Sequence, residues 1–121
     1  MTRPRLLGGV IVGYLASVAA CIEPQGDPLD PAACPDTGTT LTYASFGATF
    51  FADHCNACHS QARNGAPSAF RFDTLDEVRA HADRIYIRAA GSNTTMPPGP
   101  DDPPRDERDR LAEWLACGAP E

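Results

Sequence analysis

The chain has 121 residues and a formal net charge of −6, from 16 acidic and 10 basic residues. No basic patch dominates the sequence, which argues against a nucleic-acid partner. Aromatic residues make up only 7% of the chain, and 12 Pro and 10 Gly interrupt regular structure. Such a composition cannot form a large hydrophobic core, so the five cysteines predict help from disulfides, a metal or a covalent cofactor.

The first 20 residues have the composition of an export signal. Two arginines precede an uncharged apolar run over 6–20, which is shorter than the roughly 20 residues that cross a bilayer. The run ends in Val-Ala-Ala-Cys at 18–21, which resembles the lipobox of bacterial lipoproteins. This resemblance implies removal of 1–20, acylation of Cys21 and a lipid-anchored protein in the bacterial cell envelope, on the periplasmic face or in the outer membrane. An ordinary secretory signal with an incidental cysteine is the alternative.

Residues 21–40 are predicted to be a linker. This segment contains four prolines and four acidic residues and shows no hydrophobic periodicity. Because it cannot bury apolar surface, we expect it to hold the following domain away from the membrane without folding, except near Cys34.

The rest of the chain, 41–121, is predicted to be one all-α domain of about three main helices with long loops. Apolar residues at steps of three and four predict the first helix, and Thr74 with Glu77 forms a capping-box pattern that opens the second. The third follows a proline-rich stretch and stops before Gly118. Long loops in a small domain are typical of chains that wrap a ligand. The predicted helices cover 42–57, 74–90 and 105–117.

The motif Cys55-Asn56-Ala57-Cys58-His59 has the C-x-x-C-H spacing of c-type haem attachment. Two thiols one helical turn apart can add to the two vinyl groups at one edge of a haem, and the adjacent imidazole then reaches the iron. The motif therefore predicts one covalent haem c, bound through Cys55 and Cys58, with His59 as an axial ligand of the iron.

Met96 is the predicted second axial ligand. It is the only thioether that remains once the leader has been removed, and the prolines that follow it stiffen its loop. A Met/His ligand pair raises the reduction potential of a haem used for electron transfer. Filling of a core gap by Met96 is the structural alternative, and His81 is the alternative ligand. His54 is expected at the surface or beside the ligands.

The order of these features resembles the class I c-type cytochromes over about 41–118: an aromatic helix running into the motif, a loop, a middle helix, the Met96-Pro97 loop and an amphipathic last helix. The resemblance implies an electron carrier that meets redox partner proteins rather than an enzyme. It also implies that a proline carbonyl holds the proximal imidazole, for which Pro67 is the nearest candidate. The first and last helices are expected to cross at a small residue beside aromatics, with Gly47, Phe50 or Phe51, and Trp114 as candidates.

Cys34 and Cys117 remain after the other three cysteines have been assigned to lipid and haem. Two leftover thiols usually pair in an oxidising, exported setting. They lie before the first predicted helix and at the end of the last, where the two termini of a small domain can meet. We therefore expect a disulfide between them, with two buried free thiols as the alternative.

Three other functions could use the motif. A haem enzyme such as a peroxidase would need Met96 to leave the iron so that peroxide could reach it. A structural zinc site could use Cys55, Cys58 and His59 with His54 or another thiol, although a second ligand pair at finger-like spacing is absent. Thioredoxin-like redox chemistry at the two cysteines is a further alternative, but the sequence around them lacks the βαβ pattern of that fold.

Five arginines could neutralise haem propionates or meet a redox partner: Arg63, Arg71, Arg79, Arg84 and Arg88.

Overall fold

A computed structural model of the protein describes residues 26–63 and 68–121. Within these ranges the chain is helical and has no strand, which confirms the predicted all-α class. None of these helices has the length and apolar character needed to span a membrane. The leader over 1–20, the lipidation site Cys21 and Pro67 lie outside the described residues. The helices are a π-helix at Tyr43–Gly47, α1 at Ala48–His54, α2 at Leu75–Ala80, α3 at Ala82–Ala89 and α4 at Arg105–Ala116, with short 3-10 helices at Pro31–Ala33 and Ser68–Phe70.

The helix that leads into the C-x-x-C-H motif begins with a reciprocal cap. The Oγ1 atom of Thr42 accepts a hydrogen bond from the backbone N–H of Ser45 at 3.0 Å, and the Oγ atom of Ser45 accepts one from the backbone N–H of Thr42 at 3.0 Å. These bonds satisfy donors that the first turn leaves unpaired. The backbone N–H of Tyr43 also donates to the carbonyl of Pro120 at 2.9 Å, which attaches the start of this helix to the C-terminus of the chain.

The middle helix, predicted as one element over 74–90, is broken at His81 into α2 and α3. His81 has φ −121° and ψ 17°, which is outside the helical range. Its ring packs against those of Phe70 and Phe72, with centroids 5.3 Å and 6.1 Å away. The described residues therefore contain four α-helices, where the sequence predicts about three main ones. The break lies where the chain meets aromatic residues of the preceding loop, a contact that helical periodicity does not reveal.

The start of α2 is capped as the sequence predicts. The Oγ1 atom of Thr74 accepts a hydrogen bond from the backbone N–H of Glu77 at 3.3 Å, and the carboxylate of Glu77 accepts one from the backbone N–H of Thr74 at 2.9 Å. The capping-box prediction is confirmed.

The core forms where the π-helix and α1 meet α4. A Cβ atom on Gly47 would lie 2.9 Å from the indole of Trp114, so only a residue without a side chain allows this approach. The rings of Phe46 and Phe51 lie 6.2 Å and 6.3 Å from that of Trp114. This is the helix crossing that the cytochrome resemblance implies, with Phe51 beside the tryptophan. The largest fully buried side chains are Trp114, Phe51, Leu111, Leu115 and Val78.

Residues 26–40 contact the helices at several points, so this part of the segment differs from the linker over 21–40 that the sequence predicts to be unfolded except near Cys34. The backbone N–H of Asp27 donates to the side chain of Asn93 at 2.7 Å. The hydroxyl of Thr39 donates to Glu113 at 2.6 Å, and Leu29 packs against the core. Cys34 and Cys117 form a disulfide in the structure, with Cα atoms 4.9 Å apart. Hydrogen bonds and the disulfide hold the segment in place. Such bonds require no regular spacing of apolar residues, so hydrophobic periodicity does not reveal them. We call residues 26–34 the N-terminal strap.

Candidate functional site

A cavity of about 440 Å³ opens beside the C-x-x-C-H motif. This volume is within the range of about 300–1,000 Å³ that is usual for small-molecule and cofactor sites. The cavity brings together the four residues to which the sequence assigns haem binding, Cys55, Cys58, His59 and Met96. The other lining residues are mainly apolar, and they are Phe50, His54, Phe70, Phe72, Arg84, Ile85, Arg88, Ala89, Pro97 and Pro98.

The motif forms one further turn after the end of α1. The backbone N–H of Cys55 donates to the carbonyl of Phe51 at 3.0 Å, and that of His59 donates to the carbonyl of Cys55 at 2.9 Å. These bonds span four residues, as in an α-helix. The turn therefore carries both cysteines and the imidazole to the same cavity wall. Both thiols are free, and Cys58 is exposed while Cys55 is half-buried.

The surroundings of Cys55 favour an uncharged sulfur. Burial raises the pKa of the Cys55 thiol from 9.0 to about 12, so the group is a neutral thiol at physiological pH. A thioether is also uncharged and fits the same apolar wall. In the two described ranges, no group of three or more His, Cys, Asp or Glu side chains is arranged to hold a metal ion.

His59 is held with one ring nitrogen available to the cavity. Its Nδ1 atom lies 2.7 Å from the carbonyl oxygen of Phe70. Because a carbonyl can only accept a hydrogen bond, Nδ1 carries the proton and Nε2 keeps its lone pair. The ring also stacks on that of Phe72, with centroids 4.8 Å apart and an interplanar angle of 18°. An imidazole with its proton held by a backbone carbonyl is an oriented axial ligand.

The carbonyl that holds His59 belongs to Phe70, so the assignment of this role to Pro67 is corrected. Pro67 lies outside the described residues, and the single proton on Nδ1 is already donated to Phe70. No sequence signal could have selected Phe70, because every residue has a backbone carbonyl.

Met96 lies in the loop between α3 and α4 and lines the same cavity. Its backbone N–H donates to the carbonyl of Arg88 at 2.9 Å, and the hydroxyl of Thr95 donates to the same carbonyl at 3.2 Å. These bonds attach the Met96 loop to the end of α3. The Met96 side chain is 40% exposed, the one large hydrophobic side chain of the described residues that is exposed. It therefore does not fill a gap in the core, which was the structural alternative for this residue.

The two other histidines occupy different positions. His54 lines the cavity edge, and its Nε2 atom lies 2.9 Å from the carboxylate of Glu107 on α4. Its ring also packs against that of Phe50, with centroids 5.0 Å apart. His81 is not among the lining residues of the cavity, since its ring faces Phe70 and Phe72 at the junction of α2 and α3. The geometry thus favours Met96 over His81 as a sixth ligand.

Two of the five arginines that the sequence offers as partners for haem propionates reach the cavity. Arg84 and Arg88 lie four residues apart on α3 and both line it. The guanidinium carbon of Arg84 lies 5.7 Å from the ring centroid of Phe70. Arg79, by contrast, donates to the carbonyl of Ala119 at 3.0 Å and is not a lining residue.

The residues present fit a haem. The cavity offers an oriented imidazole with a free lone pair, a thioether, two free thiols on one turn, apolar walls and two cations. These features are typical of a c-type cytochrome domain.

Residues 44–115 match the family described as cytochrome c oxidase, cbb3-type, subunit III. The match covers more than half of the chain, and the chain belongs to this family. The same comparisons found no matching curated protein and no matching solved structure.

Proposed function

We propose that the protein is a monohaem c-type cytochrome that transfers single electrons outside the cytoplasm. One haem c is bound covalently through Cys55 and Cys58, and His59 and Met96 are the axial ligands of its iron. The observation that carries the proposal is that these four residues line one largely apolar cavity. The family of the chain supports the coarser statement, an electron carrier of the c-type cytochrome class.

Bound haem c supplies an iron that changes its charge by one unit when it gains or loses an electron. His59 presents Nε2 to this iron, and the Phe70 carbonyl and the Phe72 ring keep the imidazole from rotating. Met96 supplies a neutral sulfur ligand from a loop attached to α3. A neutral sulfur donor stabilises the reduced state relative to a second imidazole, so this pair gives a higher reduction potential.

The walls of the cavity keep water away from the iron. Phe50, Phe72, Ile85 and Ala89 are buried apolar side chains that line it. A hydrophobic shell controls solvent access and so contributes to the reduction potential. Arg84 and Arg88 place positive charge at the same cavity, where they would pair with the anionic propionates of haem.

We also propose that Cys21 is acylated after removal of 1–20 and that the protein is anchored in the bacterial cell envelope. The apolar leader and its small residues before Cys21 support this location. The pairing of Cys34 with Cys117 supports it independently, because disulfides persist in oxidising compartments.

A visible spectrum tests the proposed function. The protein is produced in a host that attaches haem c, denatured, and extracted with acidified solvent to remove loose haem. We expect retained haem, and in the native oxidised protein we expect the weak iron-to-thioether band, which is lost in Met96→Ala. Cys34→Ala, which leaves the motif intact, is the control that keeps both signals. If no haem is retained, the cytochrome proposal is wrong.

A haem enzyme of the peroxidase type is the second candidate. This function requires Met96 to leave the iron so that peroxide can reach it. We expect the wild-type protein to consume peroxide slowly and Met96→Ala to consume it faster. Rapid peroxide turnover by the wild-type protein would instead favour the enzyme.

A further inference from the structure

The N-terminal strap lies across the loop that carries Met96. The backbone N–H of Asp27 donates to the Oδ1 atom of Asn93 at 2.7 Å, and the Nδ2 atom of Asn93 donates to the carbonyl of Asp27 at 2.9 Å. The hydroxyl of Ser92 donates to the carboxylate of Asp27 at 2.6 Å. The strap and this loop, 66 residues apart in sequence, are thus joined by three hydrogen bonds.

Asn93 is the centre of this contact. Its side chain is only 7% exposed, and its Nδ2 atom also donates to the carbonyl of Tyr86 on α3 at 2.9 Å. The amide group therefore binds the strap on one side and α3 on the other. Because its polar atoms are buried, replacement of the side chain would leave the backbone groups of Asp27 without these partners.

The approach of the strap is too close for any residue but glycine at position 26. A Cβ atom on Gly26 would overlap the carbonyl oxygen of Ile87 and lie 2.5 Å from the Oδ1 atom of Asn93. One of these atoms is backbone, so a side chain at this position has to lift the strap. Gly26 does not line the cavity, which makes it a remote means of releasing the Met96 loop.

Asn93 is three residues before Met96, so the contact with the strap lies close to the proposed ligand. The backbone N–H of Asn93 donates to the carbonyl of Ala90 at 2.9 Å, and that of Met96 donates to the carbonyl of Arg88 at 2.9 Å. The loop is thus attached to α3 through its own backbone and is covered on another side by the strap. The disulfide between Cys34 and Cys117 fixes the far end of the strap to α4.

We propose that Asn93 is a positioning residue for the sixth ligand of the haem iron. By clamping the N-terminal strap onto the Met96 loop, it keeps the thioether on the iron and resists its replacement by another ligand. This inference rests on the proposed ligation by Met96. It adds that a segment outside the α-helices and outside the cavity determines how firmly that ligand is held.

The test measures the affinity of the oxidised haem protein for added imidazole, with the iron-to-thioether band as the spectroscopic signal. The variants are Asn93→Ala and Gly26→Ala. Gly99→Ala is the matched control, since it lies in the Met96 loop and a Cβ there would contact nothing within 4 Å. We expect both variants to bind imidazole roughly tenfold more tightly than the wild type, since losing a buried hydrogen-bond partner corresponds to about a decade in an equilibrium constant. We expect the control to behave as the wild type.

Several outcomes would overturn the inference. If the band and the imidazole affinity of Gly26→Ala equal those of the wild type, the strap has no influence on the ligand. If Gly26→Ala does not accumulate, Ser92→Ala decides in the same assay, with an expected increase of about two- to threefold and no increase as the contrary result. If the wild type lacks the band and Met96→Ala leaves its spectrum unchanged, both the ligation by Met96 and this inference are wrong. A band that is present in the wild type and insensitive to the strap rejects the inference alone.

Discussion

Gly47 lies directly against Trp114, because a Cβ atom on Gly47 would be 2.9 Å from the Cη2 atom of the indole. Trp114 is fully buried, and its Nε1–H donates to the carbonyl of Pro120 at 3.1 Å, so the ring cannot move aside without losing this bond. The contact determines how the π-helix crosses α4. Since α1 continues from the π-helix into the C-x-x-C-H turn, the same contact determines where the motif lies.

Replacement of Gly47 by alanine is expected to destabilise the protein by about 1–3 kcal/mol. The added methyl group overpacks the contact with the indole of Trp114, which hydrogen bonding holds in place. Denaturant unfolding of the haem protein measures the change. Gly99→Ala, where a Cβ has open space, is expected to remain within about 1 kcal/mol of the wild type. Equal stability of Gly47→Ala and the wild type would contradict the close approach.

In the haem-free protein, Cys55 is expected to react with iodoacetamide more slowly than the exposed Cys58. The thiolate is the reactive form, and burial raises the pKa of Cys55 to about 12. Because the thiolate fraction increases about tenfold for each pH unit below the pKa, the rate at Cys55 should increase about tenfold with each unit between pH 7 and pH 11. Timed quenching and peptide mass spectrometry measure both rates. Equal rates at pH 7 would show that Cys55 is not buried.

The same raised pKa predicts a loss of stability in alkaline solution. The folded protein favours the protonated thiol of Cys55, so this contribution is complete below the ordinary pKa of 9.0 and decreases as the pH rises towards about 12. Denaturant unfolding of the haem-free protein between pH 8 and pH 12 measures the trend. The control is Cys55→Ala, in which this part of the alkaline loss should be absent.

Replacement of both Cys34 and Cys117 by alanine is expected to reduce the free energy of unfolding by roughly 2–5 kcal/mol. A bond between residues 83 positions apart restricts the unfolded chain strongly. Thermal unfolding with and without reductant measures the effect, and reductant should affect the wild type but not the double variant. Non-reducing peptide mapping that finds both cysteines open to alkylation would contradict the pairing.

Replacement of Arg84 and Arg88 by glutamine is expected to lower the reduction potential of the haem. Both side chains line the cavity, and the oxidised haem carries one more positive charge than the reduced haem. Nearby cations disfavour the oxidised state, so their removal favours it. Redox titration followed by the visible spectrum measures the potential. Arg84→Lys, which keeps the charge, should leave the potential close to that of the wild type. A potential that rises in the glutamine variant would contradict the assignment.

Features that depend on residues close in sequence could be predicted. The capping box joins Thr74 to a residue three positions later, and both of its hydrogen bonds form. The turn at 55–59 likewise uses backbone bonds over three and four residues. The helical class follows from periodicity of the same range. The four residues that the sequence assigns to haem binding also line one cavity, because the turn at 55–59 and the Met96 loop meet there.

Features that depend on contacts between distant residues could not be predicted. The break at His81 coincides with ring contacts to Phe70 and Phe72, and a hydrophobic period carries no information about them. The strap depends on one asparagine that is 66 residues away from Asp27. A segment rich in proline and acidic residues looks unfolded when its own apolar content is the only criterion, although hydrogen bonds and a disulfide hold it.

If Cys21 carries the proposed lipid, the packing of the strap limits how far the domain can move from the membrane. Had the whole of 21–40 been an unfolded linker, the haem could have sampled a wide volume around an anchor at Cys21. Gly26 packs against α3 and Asn93, and five peptide units separate it from Cys21, so covalent geometry limits the distance between Gly26 and the proposed lipid attachment to about 18 Å. With that anchor, the haem would meet only redox partners close to the membrane surface, and insertion of a long flexible sequence after Cys21 would extend its range.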